Sequence, residues 1–135
     1  YHYLDLAQNI FPSHPESDTS FLYNHTTHFV LYANEALTYM NLGHPERAWK
    51  AIQRAGEFVD PTNPRKIDLT HHQIQIAIAL DDLEQSCSLF ERLIGFVKQD
   101  GHTLDMDNTY DLYQHVATHW PGEKHVRQLE ATLHL

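Results

Sequence analysis

One cysteine, Cys87, is all the thiol chemistry the 135 residues hold. No disulfide can close within the chain, and a cytoplasmic compartment suits it. Cys87 lies in a helix-like run with no neighbouring cation to favour a thiolate, so it reads as a small buried residue. Cations are scarce too: nine Lys and Arg stand against eighteen Asp and Glu, a formal charge of −9. A field of that sign repels a phosphate backbone unless basic residues cluster. The nearest approach to a cluster, Arg47, Lys50 and Arg54, is flanked by Glu46 and Glu57, so direct nucleic-acid contact from this segment is not expected. The longest apolar stretch, Ile74–Leu80, is broken by Gln75 and falls far short of the ~20 residues of a membrane span. No stretch reads as a signal peptide, and no membrane partner is expected.

Glycine and proline are few, five and six, which sets the chain apart from low-complexity and disordered sequences. The apolar share of 41% and aromatic share of 11% are those of an ordinary folded domain. The first residue is Tyr1, and helix-like sequence begins by Leu4, which reads as a domain excised from a larger protein.

What is present is a repeat. From Tyr32 to Ala55, apolar residues recur at helical spacing on both sides of a short Gly43 turn. From Thr70 to Leu93 they do so again around Asp81-Asp82. With Ala48 set on Ser86, Ala36 falls on Ile74, Tyr39 on Ala77, Leu42 on Leu80, Ile52 on Phe90 and Ala55 on Leu93, all 38 residues apart. Each unit predicts a helical hairpin whose second helix begins with a small residue that permits close approach. Asp81 and Asp82 read as caps of the helix that follows them. A weaker third unit runs over Asn108–Trp120, turns at Pro121-Gly122, and ends on a short helix with Val126, Leu129 and Leu133.

The expected architecture is therefore all-α, about seven helices in antiparallel hairpins stacked as a superhelical solenoid. Within one domain, 1–135, it comprises an orphan helix over 1–10, hairpins over 21–59 and 66–99, and a degenerate hairpin or cap over 103–134. The first hairpin, with Tyr32, Ala36, Tyr39, Leu42-Gly43, Ala48, Ile52, Ala55 and Pro61, resembles the tetratricopeptide repeat. The second resembles a degenerate copy, with Asp81 for the turn glycine and Ser86 for the small alanine. The ordered stretches Phe11–Asp18, Gly43–Trp49, Asp82–Cys87 and Trp120–Val126 look like the C-terminal repeat region of helix-turn-helix transcriptional regulators of Ktedonobacter-like Chloroflexi. That resemblance implies a sensing or assembly role beside a DNA-binding domain that this sequence does not contain.

Chemistry-bearing motifs are thin. Twelve histidines stand out, and His115 and His119, four apart on one helix face, are the best metal pair. Without a His-Glu-x-x-His or Cys-x-x-Cys motif they make half a site, so no metal or other cofactor is expected. No Gly-x-Ser-x-Gly or phosphate-cradling loop is present, and no catalytic set emerges. The aromatic series Tyr32, Tyr39 and Trp49 is at core spacing.

If the chain is a repeat scaffold, function belongs to the face lined by the first helix of each hairpin. The expected partner-facing residues are Ala33, Asn34, Leu37 and Asn41 in the first unit, His71, Gln75 and Ile78 in the second, and Asp111, His115 and Thr118 in the third. No Lys or Arg is among them, which argues against clamping of an acidic peptide tail. Side-chain amides suit the main chain of a bound peptide, each offering a donor and an acceptor. The expected function is non-catalytic recognition of a protein or peptide, with homodimerisation as a further expectation. The alternative is a small-ligand or metal-sensing helical domain of a signalling ATPase-type regulator.

Overall fold

The computed structural model describes residues 21–60, 62–63, 65–100 and 103–134, and all regular structure among them is helical. The described residues form six helices: α1 (Phe21–Asn41), α2 (Pro45–Gly56), α3 (Arg65–Ala79), α4 (Leu83–Asp100), α5 (Thr103–His119) and α6 (Lys124–Leu133). The chain divides into two compact units, 1–60 and 61–135. The helix expected over 1–10 and the loop at Phe11–Asp18 lie outside the described residues.

In the first unit, α1 and α2 form an antiparallel hairpin. The α2 stripe Ala48, Ala51, Ile52 and Ala55 is at most 2% exposed and follows the i, i+3, i+4, i+7 spacing of one helix face. Three of the four are alanine, which lets the backbones approach closely. From α1 it meets a buried face that includes Phe29, Ala33 and Ala36. Ala33, expected to face a partner, is instead 8% exposed and packed: it lies one position from Asn34, about 100° round the helix, and so on the core side. Tyr32, Tyr39 and Trp49 are half-buried rather than central core. Phe58, just past α2, folds back to stack on His28 (centroids 4.9 Å apart) and on Tyr32 (5.9 Å), tying the exit of the hairpin to α1.

The reversal between α1 and α2 is a Schellman turn. Gly43 N–H donates to the Met40 carbonyl (3.1 Å) and His44 N–H to the Tyr39 carbonyl (2.8 Å), with Gly43 at φ +78°. Thirty-eight residues on, the reversal between α3 and α4 repeats it bond for bond. Asp81 N–H donates to Ile78 (2.9 Å), Asp82 N–H to Ala77 (3.0 Å), and Asp81 takes the left-handed φ of 57°. Asp82 caps α4, its Oδ1 accepting from Gln85 N–H at 3.1 Å, whereas Asp81 serves the turn rather than a cap. The third reversal differs: Pro121 has no N–H to give, and Gly122 at φ +77° turns the chain into α6.

In the second unit α4 is the central helix, packed against α3, α5 and α6. Its buried residues therefore wrap more than one face: Ser86, Phe90, Leu93 and Val97 on one stripe, Cys87 and Ile94 on another, with Leu89 beside them. The α5 side adds Thr109, Leu112, Tyr113 and Val116, and α6 adds Val126, Leu129 and Leu133. Buried Thr70 and Thr109 satisfy their hydroxyls four residues back, on the Lys66 and Asp105 carbonyls, each at 2.7 Å. Tyr113 meets Phe90 edge-on (6.2 Å) and directs its hydroxyl to Glu130 Oε2 at 3.4 Å. Burial, then the Glu130 charge, raises the Tyr113 phenol above its ordinary range.

Helix α5 begins at Thr103, five residues before the start expected from the sequence, so Asp105 and Asp107 lie inside its first turns. Acidic side chains there complement the positive end of the helix dipole.

Candidate recognition surfaces

On α1, Val30, Asn34, Leu37 and Asn41 are spaced i, i+4, i+7, i+11 and form one exposed stripe. Val30 and Leu37 are 41% and 43% exposed, large for aliphatic side chains. Asn34, Leu37 and Asn41 thus share a surface as expected, and Val30, missed in the sequence, extends it. Its signal was legible, one helical turn before Asn34 on the same face.

In the second unit α3 and α5 lie side by side and run in the same direction. Two contacts fix this register. Midway along α3, His71 Nε2 lies 3.5 Å from the Asn108 carbonyl of α5, a separation of 37 residues. At the far ends, His119 Nε2 lies 3.0 Å from Asp81 Oδ1, a separation of 38. Parallel neighbours at that spacing are what hairpin stacking requires, with α4 and α6 packed on the other side of the pair. There Lys98 Nζ donates to the Thr132 carbonyl (2.6 Å) in the last turn of α6, where a cation is favoured.

Between α3 and α5 the surface holds two depressions. One is lined by Ile67, Asp68, His71, His72, Asp105 and Asn108. The other is lined by Ile78, Gln114, His115, Thr118 and His119. Of the expected partner-facing residues, His71 falls in the first, and Ile78, His115 and Thr118 in the second. Gln75 and Asp111 are exposed on the same two helices. Ile67, Asp68, His72, Asp105, Asn108 and Gln114 are the lining residues the sequence reading missed, since they become neighbours only when α5 docks beside α3.

His72 is held below its ordinary value of 6.5, first by burial, then by His71, with Asp68 and Gln75 acting in the opposite sense. The metal pair considered from sequence resolves differently: His119 packs edge-on against Trp120 at 4.5 Å and pairs with Asp81, while His115 lines the depression. Among the described residues no group of three or more His, Cys, Asp or Glu is arranged to hold a metal ion. Cys87 is 1% exposed, and its thiol is raised above the usual range by burial, then by Glu91 and Glu123. Among the described residues no helix is long and apolar enough to cross a membrane.

No family model, curated protein or solved structure matches the chain.

Proposed function

We propose that this chain is a non-catalytic protein- or peptide-recognition and assembly domain of the tetratricopeptide type, with the exposed faces of its first helices as the binding surface. The observation carrying this reading is the 38-residue repetition of geometry: two reversals closed by the same pair of hydrogen bonds, with α3 and α5 stacked in parallel at the same interval. In the second unit the parallel stacking of α3 and α5 leaves these two helices lining an open face. That face offers amides, imidazoles and a half-buried Ile78, which suits the main chain and an apolar side chain of an extended segment. The wider role, as the C-terminal sensing or oligomerising part of a cytoplasmic bacterial transcriptional regulator, rests on the order of the sequence motifs.

The test is an unbiased peptide-display selection on the full chain. Enriched peptides should lose about tenfold in affinity, ~1.4 kcal/mol, against Gln75→Ala/His115→Ala, two exposed positions whose truncation leaves the core alone. They should bind Glu91→Ala/Arg92→Ala, on the exposed side of α4, as well as the parent. No enrichment over an unrelated helical protein, or equal loss in both variants, overturns the proposal.

A further inference from the structure

The large hydrophobic side chains that stand exposed among the described residues all belong to α1 or to the residue after it: Val30 at 41%, Leu37 at 43% and Leu42 at 51%. Val30 and Leu37 alternate with Asn34 and Asn41 along one ridge, in steps of four, three and four residues. That is the spacing of the d, a, d and a positions of a heptad, the seam along which two helices pack. The core side of α1, with Phe29, Ala33 and Ala36, is turned about 100° away from the ridge, so α2 leaves it open.

The ridge is also neutral. Glu35 is the one Asp, Glu, Lys or Arg residue of α1, and it is only 6% exposed. The described residues that flank the ridge are Thr27, Ala33, Thr38 and Met40, none of them charged. Two copies of a chain with formal charge −9 repel each other over most of their surface, and they approach at least cost along a ridge free of charge. A strongly charged partner finds no counter-charge there.

The asparagines select the occupant. Each amide is both donor and acceptor, so an amide opposite satisfies it, whereas a purely apolar partner would bury it unpaired. The partner must therefore present amides and apolar side chains at the same alternating steps, which the ridge itself does. Parallel pairing about a two-fold axis along the helices sets Asn34 on Asn34, Asn41 on Asn41, and Val30 and Leu37 on their own equivalents. Antiparallel pairing sets each amide against Val or Leu.

We propose that α1 pairs in parallel with α1 of a second copy of this chain, through Val30, Asn34, Leu37 and Asn41. The inference rests on the recognition and assembly reading above and supplies the occupant of the first unit's exposed face. The ridge is ~17 Å long, too short to cover the ~800 Å² per partner of a standard interface, so the dimer is weak and reversible.

The experiment is sedimentation of the full chain from about 10 μM to about 1 mM, where a monomer–dimer equilibrium is expected. Leu37→Glu should weaken it at least tenfold. Asn34→Asp, which keeps the shape but sets like charges opposite, should do the same. Gln53→Glu adds that charge on the exposed side of α2 and should leave it within about twofold. Orientation is read by mild oxidation, with Cys87 buried and out of reach. Leu37→Cys should cross-link to itself, and a mixture of Leu37→Cys with Val30→Cys should give no mixed disulfide, because parallel helices hold those positions a heptad, ~10 Å, apart. A monomer at every concentration overturns the proposal, as does association indifferent to Leu37→Glu and Asn34→Asp. Equal weakening by Gln53→Glu means general charge repulsion and overturns it, and a dominant mixed disulfide overturns it through the antiparallel arrangement. Each of these results leaves peptide binding through Gln75 and His115, and so the recognition reading, untouched.

Discussion

Ser86→Ala is expected to stabilise the second unit. Ser86 is 0% exposed in α4, and its Oγ has no hydrogen-bond partner. The residue 38 positions earlier, Ala48, occupies the matching place in α2 and is also 0% exposed. Burying a hydroxyl without a partner costs about 1–3 kcal/mol in proteins. Alanine adds a few tenths of a kcal/mol, about 0.5, in helix propensity. Against this stand the dispersion contacts of one lost oxygen and the small void it leaves, together about 1 kcal/mol. The net expectation is a gain of about 1 kcal/mol, or about 4–8 °C in Tm for a unit of under a hundred residues.

The readout exploits the two tryptophans, one in each unit: in a Trp49→Phe background, fluorescence reports Trp120 and hence the second unit alone. Urea and thermal melts are compared in that background with and without Ser86→Ala. Thr109→Val serves as the contrast, because that hydroxyl is bonded to the Asp105 carbonyl and its removal brings no such gain. A Ser86→Ala Tm equal to or below the parent refutes the reasoning, because it means that the hydroxyl finds a partner in solution, the i−4 carbonyl of Asp82 being nearest in sequence.

Four further outcomes follow from the same geometry. Gly43→Ala meets no atom within 4 Å, yet φ +78° makes it destabilising by about 1 kcal/mol through backbone strain alone; Asp81→Gly relieves that same strain and should be neutral or stabilising by urea titration despite losing the exposed His119 contact. Cys87 should react with a thiol reagent only as fast as the native state opens, far more slowly than a free thiol, and at the free rate in urea. Because His72 is lowered in the fold, the unfolded chain binds more protons as pH drops through 6.5, so this contribution is full above that value and is lost below it; His72→Gln should flatten the pH dependence of stability below that value.

Gly43 was readable as a turn residue because its reason is local: no other residue enters the left-handed region as cheaply, and it stands between two apolar helical stripes. Asp81 was readable as a turn residue, by its alignment on Gly43, and equally as a cap, because a capping Asp and a left-handed Asp present the same letters. Only the hydrogen bonds to Ile78 and Ala77 distinguish them. On α1, helical phase put Asn34, Leu37 and Asn41 on one exposed stripe, but Ala33 lies one position outside that stripe and is buried. A single small residue carries too little hydrophobic signal to be assigned to a face on its own.

What the letters determined alone was the all-helical class, the two main hairpins and their interval of 38 residues, since helix periodicity and turn chemistry act over a few residues. What tertiary structure decided was how the helices of the second unit meet across hairpins. It laid α5 parallel to α3, brought Asp105 opposite Asp68 and His119 onto Asp81, and made α4 the centre of its unit. Those neighbours are about 37–38 residues apart in the chain, and such contacts form only when packed faces choose their register, which no local pattern encodes.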